Sequence, residues 1–288
     1  MLTFHSSIFY LRKLGDFLEN ILEIRNLKVV FKQDKKVKEI LKKINLSIKS
    51  NKITCIVGQS GSGKSITVKS IIKMLPQNIS IEEGSIVFQG RNLRTMNYNE
   101  INKVRGRKIF SIFQNPINCF NPSITMGKQI YDLMSSNIKM EKQMEKHKFK
   151  KDISIIMEKL NLDNPSIILE QYPFQLSGGM LQRMMIACAI FIKPDIIIAD
   201  EPTTALDVTT QKEILKQFKI IQEEFGTTVL MITHDFGVVA EIADEVFVMQ
   251  DGKVVESGDV FEIFENPKHE YTLSLIKATF DREVVEVC

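Results

Sequence analysis

The chain has 288 residues, enough for one large domain, or a domain with a subdomain, to bury a full core. Hydrophobic residues make up 44% and charged residues 25%, as in ordinary globular proteins, and a net charge of +3 is too small to indicate nucleic acid. The cysteines lack the spacing of metal ligands and are typical of a reducing cytoplasm; they are Cys55, Cys119, Cys188 and Cys288.

The N-terminal segment, residues 1–21, carries a weak helical stripe of apolar residues that Arg12, Lys13 and Asp16 interrupt, so it makes a poor signal peptide. We interpret it as an extension, or as the product of an upstream start assignment. An interfacial membrane anchor is the alternative. No run in the sequence approaches the roughly 18 apolar residues that a membrane span needs.

Strand and helix patterns alternate along the rest of the chain. Lys52–Val57 is a predicted buried strand that runs directly into Gly58, and Ser65–Leu75 is a predicted helix that stops at Pro76. The other predicted strands are Leu22–Phe31, Ile44–Ile48, Ser85–Phe88, Ile109–Phe113, Ile196–Ala199, Thr228–Ile232, Glu245–Met249 and Lys253–Glu256. The other predicted helices lie near Gln211–Phe225 and Phe236–Ile242.

Between about Pro116 and Leu181 the residue pattern becomes typical of helices, and Met, Lys and Glu are frequent. The pattern predicts an α/β core with a helical insertion. We place the folded domain at residues 22–265, the helical subdomain at about 115–183, and a C-terminal tail at 266–288.

A glycine-rich segment follows the predicted strand Lys52–Val57 and precedes a helix. Gly58–Ser65 matches GxxxxGK[ST] in full, a pattern whose backbone N–H groups surround phosphates. Lys64 is predicted to reach the β- and γ-phosphates, and the Ser65 hydroxyl to bind Mg²⁺. An ordinary glycine-rich turn is the alternative. The predicted phosphate-binding residues are Gly58, Gln59, Ser60, Gly61, Ser62, Gly63, Lys64, Ser65 and Ile66.

Two carboxylates follow the buried strand Ile196–Ala199. Asp200 fits the strand-end carboxylate that holds Mg²⁺, and Glu201 fits a general base for the attacking water. A strand end that meets solvent is the alternative for this pair. Upstream, Ser177-Gly178-Gly179 opens a helix whose free N–H groups are suited to an anion.

Six motifs in this order resemble those of the ABC ATPases, over about Leu22 to Ala278. They are the phosphate-binding loop, Gln114 after a strand, Leu176–Met180 with Leu181-Gln182-Arg183, Asp200-Glu201, Ala205-Leu206-Asp207, and His234 in MITHD. The resemblance implies a P-loop (RecA-like) ABC nucleotide-binding domain with a β-rich N-terminal subdomain and an inserted helical signature subdomain.

The resemblance also implies residue roles and an assembly. Two ATPase subunits enclose two ATP molecules, and Ser177, Gly178 and Gly179 complete the site of the partner. Catalysis falls to Glu201, His234 and Lys64. Mg²⁺ is held by Ser65, Gln114 and Asp200, while Asp207 lies beside the nucleotide. Phe31 either stacks on adenine or belongs to the core.

Short sequence motifs such as Gln114-Asn115-Pro116 and Asn266–Thr272 resemble those of the branch of ABC ATPases that serves peptide and nickel importers. Because no cysteine-bearing extension follows, we expect nickel import, free or chelated, with di- or oligopeptide import as the alternative. A non-transport ABC ATPase of DNA repair or translation is the rival from another class.

The expected partners follow from that branch. They are a second ABC ATPase subunit, a paralogue by our expectation, two integral membrane permeases that dock around Phe120–Met134, and indirectly an extracytoplasmic solute-binding protein. No nucleic acid is expected. The expected location is the cytoplasmic side of the cell membrane, as a peripheral protein.

Overall fold

A computed structural model of the chain describes residues 20–33, 36–138, 146–204 and 206–285. The predicted N-terminal extension falls almost entirely on residues 1–19, outside the described residues, and so does Ala205 of the predicted Ala205–Asp207 motif. The strands are β1 Asn20–Gln33, β2 Lys36–Lys49, β3 Ile53–Val57, β4 Ile79–Phe88, β5 Arg91–Asn92, β6 Ile109–Ile112, β7 Ile196–Asp200, β8 Thr228–Thr233, β9 Glu245–Gln250 and β10 Lys253–Asp259.

The helices of the described residues include a long C-terminal one. They are α1 Lys64–Ile71, α2 Tyr98–Val104, α3 Met126–Ile138, α4 Lys146–Lys159, α5 Pro165–Glu170, α6 Gly178–Ile192, α7 Val208–Phe225, α8 Phe236–Ile242, α9 Val260–Glu265 and α10 Glu270–Val285. No helix among these described ranges has the length and apolar character to cross a membrane.

The larger sheet has the strand order β10-β9-β3-β8-β7-β6. Strands β9, β3, β8, β7 and β6 run parallel, and β10 pairs antiparallel with β9. Every residue of β3, β7 and β8 is buried, as expected of central strands covered on both faces. The parallel arrangement brings the carboxyl ends of five strands to one edge of the sheet.

The smaller sheet is antiparallel, with the order β2-β1-β4-β5. The predicted strand Ile44–Ile48 is only part of β2. The register shifts where Leu27 faces Ile44 and Val29 faces Leu41, and Lys43 adopts a φ of 55°. This irregularity shifts the apolar alternation by one residue. The sequence pattern therefore does not predict the first half of the strand.

The core divides at the larger sheet because side chains alternate along each strand. Cys55, Val57 and Ile197 face a cluster shared with the helical segment, whereas Ile56 and Ile198 face a cluster shared with the smaller sheet. Burial raises the pKa of the Cys55 thiol to about 12, so this cysteine is a protonated core residue.

The helical segment between Gln114 and α6 has the character that its composition predicts. In α4, Phe149, Ile153 and Met157 are buried and face α6 and α3. Phe149 makes edge-to-face contacts with Tyr131 and Phe191. The domain boundaries themselves stay a prediction.

Two element predictions differ from the structure. Helix α1 ends at Ile71 and not at Leu75, because Lys73 turns to a φ of 51° ahead of Pro76. Residues 266–288, predicted as a tail, include helix α10, whose Ile276 is 9% exposed and packs in the core.

Candidate functional site

The predicted chemical residues lie at the carboxyl ends of four neighbouring parallel strands. Gly58 follows β3, Gln114 lies two residues after β6, Asp200 ends β7 with Glu201 directly after it, and His234 follows β8. The carboxyl edge of a parallel sheet is where α/β proteins bind ligands. The strand order therefore explains why these five residues lie close together although they are far apart in the sequence.

The loop Gly58–Ser65 curls at the start of α1 and requires glycine at its first position. A Cβ atom at Gly58 would lie 2.1 Å from the Met249 carbonyl oxygen, so a larger residue does not fit. Lys64 is 4% exposed, and its Nζ donates to the carbonyl oxygens of Gly58 (2.6 Å) and Gln59 (3.0 Å). Burial lowers the pKa of Lys64, while the charges of Glu201 and Asp200 oppose that shift.

The Asp251-Gly252 turn between β9 and β10 supports the same loop from outside. Gly252 N–H donates to the Ser62 carbonyl at 3.0 Å, and Lys42 N–H donates to the Gly252 carbonyl at 2.8 Å. Gly252 has a φ of 77°, and a Cβ atom there would lie 2.0 Å from the Ile40 carbonyl oxygen. The turn thus ties the smaller sheet to the phosphate-binding loop.

A hydroxyl and a carboxylate meet beside Lys64. The Ser65 hydroxyl donates to Asp200 Oδ1 at 3.1 Å. Burial raises the pKa of Asp200, an effect that the Ser65 hydrogen bond opposes and the charge of Glu201 reinforces. These are hard oxygen donors, the type that Mg²⁺ takes in proteins, so the two side chains fit the predicted metal role.

Glu201 is the point where three strand ends converge. Its Oε2 accepts hydrogen bonds from Gln114 Nε2 (3.2 Å) and the Thr204 hydroxyl (3.1 Å), and lies 3.5 Å from His234 Nδ1. Glu201 adopts a φ of 49°, a conformation that costs a non-glycine residue free energy and is enriched at functional sites. The structure therefore brings together Gln114, Glu201 and His234.

Thr204 contacts Glu201 but belongs to none of the motifs predicted from the sequence. The signal that could have found it is a hydroxyl three residues after the carboxylate, a common spacing for local side-chain hydrogen bonds.

The segment Ser177–Gly179 begins helix α6, and the Ser177 side chain accepts the Met180 N–H at 3.2 Å. A Cβ atom at Gly178 would meet nothing within 4 Å in the described residues, and one at Gly179 would meet only Thr210 Cγ2 at 3.5 Å. The described part of the chain thus gives no steric reason for glycine at either position.

The last two predicted residues lie in other elements. Asp207 caps α7 by accepting the Thr210 N–H and hydroxyl at 3.0 and 2.7 Å, and these bonds lower its pKa. Phe31 is half-buried in β1 opposite Ile79.

Comparison with known proteins gives a consistent family. A model described as ABC transporter matches residues 41–204. The oligopeptide transport ATP-binding protein OppD of Lactococcus lactis subsp. cremoris (strain SK11) is 41% identical over 268 residues, which is 93% of this chain and 78% of that protein. The dipeptide transport ATP-binding protein DppD of strain MG1363 of the same subspecies is 40% identical over 258 residues, covering 90% and 73%.

A solved structure supports the fold. The ATP-binding cassette MJ0796, described as a dimer in a post-hydrolysis state bound to ADP and Pi, is 28% identical with a TM-score of 0.74. The match covers 83% of this chain and 98% of that one. The predicted fold, an ABC nucleotide-binding domain with mixed α/β sheets, is confirmed.

The expectation of nickel import is wrong, and so are the ion-transport and nickel-translocase functions that depended on it. Both relatives are named for peptide transport. The expectation depended on short sequence motifs and on where the chain stops. Neither feature is a chemical signal for the transported solute, because the residues concerned belong to the ATPase.

Proposed function

This chain belongs to the ABC transporter family, and we propose that it is the ATP-hydrolysing subunit of an importer of oligopeptides or dipeptides. ATP binding and hydrolysis coupled to transport follow from the family. The peptide cargo is supported by relatives that are 41% and 40% identical and carry peptide-transport names. Peptides, which the sequence offers as the alternative cargo, thus become the proposed cargo.

The observation that carries the proposed chemistry is the convergence on Glu201. Its Oε2 faces His234 and Gln114 at 3.5 and 3.2 Å, at the strand edge where Gly58–Ser65 also lies. In our proposal Glu201 accepts a proton from the water that attacks the γ-phosphate, and His234 and Gln114 hold that water and phosphate in line. Proton acceptance at this position contributes on the order of 10²–10⁴ in rate.

Lys64 is the proposed phosphate-binding side chain of the loop. Its ammonium group donates to the Gly58 and Gln59 carbonyls. With ATP in the loop, the ammonium would donate to β- and γ-phosphate oxygens, and the backbone N–H groups from Ser60 to Ile66 would face the phosphates.

Mg²⁺ is the proposed metal, and Ser65, Asp200 and Gln114 are its proposed protein ligands. The 3.1 Å contact between the Ser65 hydroxyl and Asp200 supports this assignment, because both oxygens can face one small cation. When bound, Mg²⁺ neutralises charge on the β- and γ-phosphate oxygens.

We propose that Ser177, Gly178 and Gly179 serve the ATP of a second ATPase subunit. Open space around Gly178 supports this, because a glycine without a neighbour in the described chain leaves room for an outside group to approach the backbone. The dimeric description of MJ0796 with ADP and Pi supports the same arrangement. Asp207 lies on this side of the proposed interface, and Phe31 is the proposed adenine contact.

The proposed membrane partners dock on the helical segment. A groove of about 550 Å³ lies between β6, α3 and α6, with an apolar wall formed by Met74, Phe113, Phe120 and Leu133. Its rim reaches Gln114 and Asp200. A permease element bound in this groove would lie next to Asp200, the proposed Mg²⁺ ligand. A shift of the groove residues would therefore change the position of the metal-binding carboxylate. The proposal also includes an extracytoplasmic solute-binding protein and a location at the cytoplasmic face of the membrane.

Uptake of a radiolabelled tripeptide and dipeptide in a strain that lacks this gene tests the proposal. Uptake should fall in the deletion strain, return with the wild-type gene, and fail to return with Glu201→Gln. Peptide uptake that is unchanged by the deletion would rule out the proposed cargo.

A further inference from the structure

The C-terminal helix α10 contacts the phosphate-binding loop through one hydroxyl group. Gln59 N–H donates to the Tyr271 hydroxyl oxygen at 3.0 Å, across a sequence separation of 212 residues. Tyr271 is half-buried and packs against the core together with Leu275. A segment far along the chain therefore reaches the residue that follows the first glycine of the loop.

This contact falls on the same peptide group that accepts a hydrogen bond from Lys64. Gly58 C=O accepts from Lys64 Nζ at 2.6 Å, and the N–H at the other end of that peptide group, from Gln59, donates to Tyr271. Because a peptide group is planar and rigid, fixing the N–H also fixes the direction of the carbonyl. Tyr271 thus sets the orientation of the carbonyl on which Lys64 rests.

Tyr271 is itself held in place by a carboxylate in β10. The two oxygens of Glu256 accept the N–H groups of Lys268 (2.6 Å) and His269 (3.1 Å), and His269 Nδ1 accepts the Tyr271 N–H at 3.1 Å. Ile276 anchors the next turns of α10 in the core. The backbone on both sides of Tyr271 is therefore held in place, and this fixes the position of the hydroxyl.

We propose that Tyr271 is a positioning residue for the nucleotide: its hydroxyl holds the Gly58–Gln59 peptide group, so that the loop Gly58–Ser65 keeps the shape in which it binds phosphates. This inference rests on the proposed role of Gly58–Ser65 in binding ATP. It adds the C-terminal segment, outside the matched family region of residues 41–204, to the site.

Tyr271→Phe removes only the hydroxyl and is the first test. Loss of one hydrogen bond from the loop should weaken ATP binding by roughly threefold to tenfold in equilibrium titration. Hydrogen exchange of a peptide covering residues 58–65 should become faster while exchange in β8 stays unchanged. Tyr98→Phe is the matched control, because Tyr98 is 75% exposed on α2 and the chemical change is the same. It should leave both readouts at wild-type values.

Gln59→Pro removes the N–H from the opposite end of the bond without changing α10. In the Gln59→Pro background, Tyr271→Phe should change the ATP dissociation constant less than twofold, because its partner is already absent. A full Tyr271→Phe effect in that background would show that the hydroxyl acts elsewhere and would overturn the inference. So would an unchanged dissociation constant and exchange rate in the single variant.

Lys64→Ala separates this inference from the proposed function. If Lys64→Ala abolishes ATP binding and Tyr271→Phe does not alter it, the positioning role fails while the nucleotide site stands. If Lys64→Ala binds ATP as the wild type does, the nucleotide site itself is misplaced.

Discussion

One carboxylate oxygen, Glu201 Oε2, is the common contact of the site's polar side chains. A side-chain amide, a hydroxyl and an imidazole lie within 3.5 Å of it, from three different segments. Its backbone stands at a φ of 49° and is fixed by a hydrogen bond from its own N–H to the Ile232 carbonyl at 2.8 Å. The surrounding strands therefore hold a conformation that the residue alone would not favour.

Glu201→Gln should leave ATP binding intact and reduce hydrolysis at least tenfold, because the amide keeps the size and loses the ability to accept a proton. Binding is measured by titration and hydrolysis by phosphate release. Glu223→Gln, the same change at an exposed position of α7, is the control. Unchanged turnover in Glu201→Gln would remove Glu201 as the base.

Thr204→Val should lower the hydrolysis rate severalfold and leave the ATP dissociation constant near that of the wild type. The substitution keeps the shape and removes the hydroxyl that donates to Glu201 Oε2, so the carboxylate loses one of its fixed partners. Thr279→Val is the control, because that hydroxyl donates to the Leu275 carbonyl in α10. Equal losses of rate in both variants would show that Thr204 has no particular role.

At the scale of elements, the parallel strands of the larger sheet could be predicted because they are short, mostly apolar runs next to a turn. The same runs also place Gly58, Asp200 and His234 at strand ends. The β2 bulge and helix α10 could not be predicted in this way. The bulge interrupts the alternation at Lys43, and α10 has only scattered buried positions such as Thr272 and Ile276. Contacts such as Gln59 with Tyr271 depend on tertiary packing and leave no local signal.

The turn between β9 and β10 yields a prediction at this scale. Gly252→Ala should destabilise the protein by clearly more than Gly90→Ala. Both glycines have positive φ, which costs an L-residue about 1–2 kcal/mol. Only at Gly252 would the new Cβ also collide with a backbone oxygen, since nothing in the described part of the chain lies within 4 Å of a Cβ at Gly90.

Thermal unfolding with and without ATP measures the difference between these glycine variants. Because Gly252 N–H donates to the Ser62 carbonyl, the Gly252→Ala variant should also gain less stability from ATP than Gly90→Ala does. Equal midpoints for the two variants would contradict the tight fit at Gly252.

At the scale of the whole molecule, the two ends of the segment from Ser177 to Asp207 have different surroundings. Its carboxylate end, Asp200 and Glu201, lies with the chain's own loop Gly58–Ser65. At its glycine end, a Cβ atom on Gly178 would meet nothing within 4 Å in the described residues, and in our proposal this end serves the ATP of a partner. In that proposal one subunit contributes to two ATP sites, and efficient hydrolysis requires a pair of subunits.

The division of this segment between two ATP sites is tested by photolabelling with an azido analogue of ATP in the complex of this chain with the proposed partner ATPase. Only this chain carries Gly178→Asp, which in our proposal puts a carboxylate against the phosphates of the partner's nucleotide. Labelling of this chain should stay within twofold of wild type while nucleotide trapping in the partner and hydrolysis by the complex fall strongly. Loss of labelling in this chain, with normal trapping in the partner, would contradict this division.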